Sequence, residues 1–218
     1  MKIIDCDQNS DEWMQCRLGI PTSSMFATVM AKGEGIVRRT YMRKLAGEII
    51  TGAPAENYTN AAMDRGHVME DEARSLYAFQ RDVDPELVGF VTNDDGTVGA
   101  SPDSLVGADG ILEIKSAAPH ILIDAIVANK FPAKHIAQCQ GQLWIAERDW
   151  IDIAIYWPGM PLFVKRARRD SAYIANLVDE VERFNDELAA LVERVRRYDG
   201  APPPDLKAVL TESIEMEG

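Results

Sequence analysis

Ser101-Pro102-Asp103, nine residues, then Glu113-Ile114-Lys115 set out two carboxylates and an amine in an order from which a Mg²⁺-dependent phosphodiester-cleaving site can be built. Val98-Gly99-Ala100 and Leu105-Val106 run toward Gly107-Ala108-Asp109-Gly110 and Ile111 to Ile114 returns, so Val98 to Lys115 reads as a hairpin. A register centred on Ala108 faces Asp103 with Glu113 at a Cβ separation of roughly 5 Å, within reach of one cation. Strand alternation puts Glu113 and Lys115 on one face and Ile114 on the other. Mg²⁺ takes oxygen ligands and keeps several waters, which leaves room for a phosphate and for a water that Lys115 can orient or deprotonate. An isolated Glu-x-Lys triplet is more often a solvated strand face. The Pro-Asp at hairpin distance, the glycine turn and the short apolar strand weigh the other way.

The surrounding pattern alternates helices and strands. Ser10 followed by Asp11-Glu12-Trp13 reads as an N-cap with acids in the first turn, and Gly19-Ile20-Pro21 ends that short helix. Thr22-Ser23-Ser24 starts a second, Gly33 and Gly35 break it, and Ile36 to Ile50 forms a third ending at Thr51-Gly52, followed by a loop through Pro54 and Asn57. Asn60 to Gln80 is a helix with an inward stripe of Ala62, Gly66, Met69, Ala73 and Leu76-Tyr77. Strands follow at Leu87 to Thr92 and in the hairpin, then helices at Pro119 to Asn129 and Pro132 to Glu147, each with proline in its first turn. Trp150 to Trp157 alternates, with Ile151, Ile153 and Ile155 on one side, and pairs with Leu162 to Arg168. Ser171 to Tyr198 is a long helix whose stripe is Leu177, Val181, Phe184, Leu188, Leu191 and Val195, packed on the domain's own sheet in preference to a dimer seam.

Composition bounds the function. At 218 residues and 46% hydrophobic content, one domain over 1–200 suffices, followed by an acidic tail over 201–218. Neither a signal peptide nor an apolar run of about 20 residues is evident, so a soluble cytoplasmic protein is expected, with no membrane partner. Cys6, Cys16 and Cys139 lack zinc spacing, and the three histidines are scattered, which favours oxygen chemistry over thiol or imidazole chemistry. A net charge of −12 argues against whole-surface adhesion to nucleic acid. It leaves room for a local basic path from Arg38-Arg39 with Arg43-Lys44, Lys165-Arg166 with Arg168-Arg169, and Arg194 with Arg196-Arg197, unless these are solvated element ends neutralised by nearby acids.

Three further segments carry chemistry. Arg17-Leu18-Gly19 followed by Thr22-Ser23-Ser24 combines an arginine with hydroxyls at a helix start, which is anion-binding chemistry or plain capping. Glu70 borders its helix's apolar stripe and either projects toward the hairpin or pairs with Arg74 on the surface. Gln140 falls inside an apolar stripe, where its amide needs a phosphate oxygen or backbone as partner.

Taken in order, Trp13, Arg17-Leu-Gly, Thr22-Ser-Ser24, Gly66, Glu70, Ala73-Arg74, Ser101-Pro-Asp103, Glu113-Ile-Lys115 and Gln138-Cys-Gln140 resemble the lambda-type exonucleases. These form the YqaJ-like viral recombinase family within the PD-(D/E)xK nuclease superfamily. The likeness runs from Asp11 to Ile155, and no motif match follows residue 160. It implies an α/β fold with a central mixed β-sheet flanked by helices, of restriction-endonuclease-like core. It also implies a 5′→3′ exonuclease on linear duplex DNA ends that releases 5′-mononucleotides and leaves a 3′ overhang for a single-strand annealing protein. A ring-shaped homotrimer, two Mg²⁺ ions with Mn²⁺ as a substitute, and a bacterial or phage-infected cell as the setting belong to the same implication. By position, Asp103 and Glu113 would bind metal, Glu70 would be a further acid there, the Ile114 carbonyl would contact metal, and Lys115 would activate water. Arg17, Ser24 and Gln140 would bind the 5′-phosphate, with Ser23 competing for the Ser24 role. The alternatives are a related endonuclease making internal cuts and a non-catalytic scaffold for an annealing protein.

Overall fold

The computed structural model describes residues 1–31, 35–55 and 61–199, the side chains of 61–68 excepted. Gly33, Asn57, the inward placement expected of Ala62 and Gly66, and the tail over 201–218 lie outside the described residues. β1 (Lys2–Ile4) precedes α1 (Asp11–Cys16), where Ser10 Oγ accepts the Trp13 N–H at 3.1 Å. A 3-10 turn, Ser23–Met25, leads into α2 (Phe26–Val29). α3 (Ile36–Thr51) ends on Gly52, whose left-handed φ of 67° lets its N–H reach the Glu48 carbonyl. α4 (Ala61–Arg81) then enters the strands β2 (Pro85–Glu86), β3 (Phe90–Thr92), β4 (Gly99–Ala100), β5 (Ser104–Val106) and β6 (Gly110–Ser116). After α5 (Pro119–Ala128) and a 3-10 turn at Ala133–His135 come α6 (Ile136–Ile145), β7 (Trp150–Tyr156), β8 (Phe163–Arg168) and α7 (Ser171–Arg196).

Five strands form a mixed sheet in the order β2-β5-β6-β7-β8, parallel only between β6 and β7. A parallel neighbour needs a crossover, and α5 and α6 supply it. β5 and β6 pair Ser104 with Leu112, Leu105 with Ile111 and Val106 with Gly110, the register centred on Ala108. Gly110 is required by a close approach, since a Cβ there would lie 2.2 Å from the Trp150 ring. Val98-Gly99-Ala100 does not extend this hairpin, because β4 belongs to a separate three-stranded sheet, β1-β3-β4. Ser101-Pro102 carries the chain between the sheets, and a proline has no N–H to continue a ladder.

Both faces of the five-stranded sheet are covered. Ala73 and Tyr77 of α4 pack on Leu112, Ile114, Ala154 and Tyr156. On the opposite face Leu105, Ile111 and Ile151 meet Cys139, Leu143 and Ile145 in the larger core, which continues through α2, α3 and α7. β7 is therefore buried on both sides rather than alternating, as a central strand with a parallel neighbour should be. α7 packs mainly on α3, α6 and α2, with Tyr41 stacked on Phe184 at 5.7 Å and Arg38 paired to Glu187. Its buried stripe is Ile174, Leu177, Val181, Phe184, Leu188 and Val192, while Val195 is exposed. Among the described residues no helix is long and apolar enough to cross a membrane.

Candidate active site

The β5–β6 register, carried back one residue, sets Asp103 opposite Glu113 at the end of the hairpin. Asp103 Oδ2 accepts the backbone N–H of Ile114, which fixes the carboxylate across the strand pair. Glu113 and Lys115 share the face turned to α6, and Lys115 Nζ lies 2.6 Å from Glu113 Oε1. Glu113 is only 2% exposed. Two side chains that the sequence reading left without a role close over it: Gln138 Nε2 donates to Oε1 and Gln142 Nε2 to Oε2, each at 2.6 Å. The available signal was their spacing, since glutamines four apart on an otherwise apolar helix share a face.

Charge here is unbalanced. Burial, then the neighbouring Glu113, push the Asp103 carboxyl well above its ordinary range, with Glu70 adding to the push and the Ile114 N–H and Lys115 opposing it. Burial pulls the Lys115 amine down, but the charge and hydrogen bond of Glu113 outweigh it and hold the amine above its usual value. Glu70 and Asp103 line one cleft of about 310 Å³ with Asp5, Asp7 and Arg74. Arg74 pairs with Asp71 at 2.6 Å and donates Nε to Ser104 Oγ at 2.9 Å, bracing α4 against β5.

Among the described residues no three His, Cys, Asp or Glu side chains converge into a finished metal cage. The donor set nevertheless fits a hard divalent cation. Asp103 and Glu113 offer carboxylate oxygens, Glu70 stands nearby, and the strain that raises the Asp103 pKa is the kind a positive charge relieves.

A second cavity, of about 530 Å³, is lined by Trp13, Arg17, Thr22, Ser24, Tyr41, Lys44 and Glu48 among others. The Arg17 guanidinium carbon lies over the Trp13 ring, 3.7 Å from its centroid, and burial lowers its pKa. Glu48 is turned toward the backbone N–H groups of Gly19 and Ala55, at 3.0 and 3.3 Å. Ser24 is exposed, with Oγ 3.3 Å from Thr22 Oγ1, whereas Ser23 is buried and does not line the cavity. Trp13 joins this cavity to the segment that leads into the hairpin, because its Nε1–H donates to Ser101 Oγ at 2.9 Å.

Gln140 is not brought to Arg17 and Ser24. Its Nε2 donates to the Arg168 carbonyl and its Oε1 accepts the Asp170 N–H, both at 2.9 Å, so backbone at the β8–α7 junction satisfies both ends of the amide. The basic clusters divide. Arg166 binds the buried Asp152 through two bonds of 2.9 Å, Arg169 donates to the Leu143 carbonyl, and Arg196 and Arg197 pair with Glu193. α3 presents Arg39, Arg43 and Lys44 at the surface, beside the cavity.

A family model described as the YqaJ-like viral recombinase domain matches residues 12–149. Among solved structures, an alkaline exonuclease from Laribacter hongkongensis is 35% identical, with a TM-score of 0.80 over 86% of this chain and 97% of its own. The same exonuclease in complex with dAMP matches equally well. A phage related exonuclease from Haemophilus somnus 129PT, 14% identical, shares the fold at a TM-score of 0.60 over 81% of this chain and 96% of its own. No curated protein sequence matches the chain.

Proposed function

The chain belongs to the YqaJ-like viral recombinase family, with a restriction-endonuclease-like fold, and on that premise we propose that it is a Mg²⁺-dependent 5′→3′ exonuclease acting on the ends of linear duplex DNA. Its products are 5′-mononucleotides and a 3′ overhang, passed to a single-strand annealing protein by an enzyme that works as a homotrimer. One observation carries the reading. The acid pair with its lysine is linked through Trp13 to a cavity holding a partly desolvated arginine. A site suited to cutting and a site suited to gripping an anion are thus joined by one side-chain hydrogen bond, made two residues before Asp103.

Asp103 and Glu113, with Glu70 and the Ile114 carbonyl, would hold the divalent ion. When bound, it supplies the Lewis acid that polarises the scissile phosphate and eases loss of the leaving oxygen. Lys115 orients the attacking water and, in its neutral form only, takes up the water's proton at Nζ. The Glu113 contact keeps that amine charged, so drawing Glu113 oxygens into other bonds favours the neutral form a base requires. Arg17 meets the terminal phosphate with its charge, and Ser24 adds a hydroxyl donor. The Trp13 ring covers the planar guanidinium and keeps it little hydrated, which favours an anion over water. The dAMP complex of the Laribacter exonuclease supports a nucleotide-sized product.

The test is digestion of linear duplexes labelled separately at the 5′ and at the 3′ ends, with and without Mg²⁺, beside a covalently closed circle. Nucleotides released from the 5′ ends only, dependence on Mg²⁺ and an intact circle are expected, with Lys115→Ala binding duplex but not cutting it. Cutting of the circle would instead make the chain an internal-cutting nuclease. Near-normal digestion by Lys115→Ala would remove the catalytic assignment.

A further inference from the structure

We infer that Gln138 and Gln142 are positioning residues, a fork on α6 that aims the Glu113 carboxylate at the divalent ion. The inference rests on the metal-dependent reading above and assigns it a supporting pair.

A glutamate carboxylate turns easily about its last torsion. Glu113 does not, because an amide N–H from Gln138 holds one oxygen and an amide N–H from Gln142 holds the other, each at 2.6 Å. Both amides come from one helix face, so the carboxylate plane is set by α6 as a rigid body. Their neutrality matters. Lys115 already supplies the counter-charge on Oε1, and further cations would cancel the negative charge that a metal ion needs. Amides fix direction and leave the charge in place.

Gln142 shows that the arrangement is not simply good packing. It is fully buried, and its Oε1 has no hydrogen-bond partner among the described residues. A buried polar atom without a partner is costly, and a methionine would fill the same volume between α6 and β6 without that cost. The half of the amide that is satisfied is the half on Glu113. Gln140, on the same helix, has both ends met by backbone and so serves the fold. The contrast between two glutamines two residues apart separates bracing from aiming.

The test uses the full chain and Mn²⁺ as the probe, with free Mn²⁺ read by electron paramagnetic resonance. Gln142→Met and Gln138→Leu are expected to keep the wild-type far-ultraviolet circular dichroism and to bind Mn²⁺ about 10- to 100-fold more weakly, the usual loss for residues that orient a ligand. Asp152→Asn disturbs the buried Tyr77–Asp152–Arg166 network on the other face of the sheet, so it should melt earlier yet bind Mn²⁺ as the wild type does. Should Gln142→Met fail to fold, the half-buried Gln138 position carries the test. Mn²⁺ affinity within about twofold of wild type in the folded glutamine variants, or an equal loss in Asp152→Asn, overturns the positioning role. Wild-type protein that binds no Mn²⁺ overturns the metal-dependent reading itself.

Discussion

Arg17 is a partly desolvated cation, with an indole over it and burial lowering its pKa. Such a group gains more from a phosphate dianion than from a hydroxyl end, so Arg17→Ala should lose digestion of 5′-phosphorylated duplexes by 10-fold or more, roughly the worth of one charge-assisted bond, while changing hydroxyl-ended ones little. Matched substrates differing only in the terminal phosphate measure this, and equal loss on both would remove the phosphate role. His135 offers a pH test of another kind. Burial, with Lys115 and Lys134 nearby, lowers its pKa from 6.5 to about 4. Between those values the unfolded chain holds a proton that the folded chain refuses, so this contribution is intact above pH 6.5 and is lost as pH falls toward 4. His135→Gln should therefore show a shallower decline in melting temperature from pH 7 to pH 4.5 than the wild type. Identical slopes would mean that His135 titrates normally. Asp103, Glu113 and Lys115 were legible because their spacing about one turn determines their geometry. The partners of Gln140 were not, because the β8–α7 junction lies about 30 residues along the chain and no local pattern points to it.

At the scale of elements, α6 carries most of the consequence. It presses Gln138 and Gln142 onto β6, braces the junction before α7 and lies against the Ser23–Met25 turn. Gly141 permits that last contact: a Cβ there would fall 2.3 Å from the Phe26 ring and 3.4 Å from Ser23 Cβ. Gly141→Ala should consequently destabilise the fold by about 1–3 kcal/mol through overpacking, read from the urea midpoint. An unchanged midpoint would mean that Phe26 swings aside freely. The sequence pattern located the long helices within a residue or two at α3, which stops on Gly52, at α4, and at α7, which has an Asp170 cap and a strong apolar stripe. It missed β1, since three residues at a sheet edge carry no period, and it assigned β4 to the wrong sheet because only long-range pairing distinguishes the two. Asp152 escaped notice for a related reason. A central strand buries both faces, and the carboxylate is kept by the Tyr77 hydroxyl, 75 residues away, together with Arg166 directly across the β7–β8 hairpin.

For the whole molecule, the ruling fact is a net charge of −12 on a protein proposed to act along DNA. A long-range field of that sign repels a duplex, and phosphate contacts by a few exposed cations such as Arg39, Arg43 and Lys44 weaken steeply as salt rises. Persistent digestion therefore needs a cause other than surface affinity. Enclosure supplies one, since a closed ring is released only at the end of the strand, and head-to-tail contacts that close through rotation generate rings. The expected assembly has three times the 24.2 kDa chain mass, measured by light scattering on the eluting protein. Enzyme preloaded on labelled duplex in Ca²⁺, then started with Mg²⁺ beside excess unlabelled duplex, should complete the molecules it began, and raising the salt should reduce loading more than completion. A monomer that abandons its duplex to the competitor would rule out the ring and persistent digestion together.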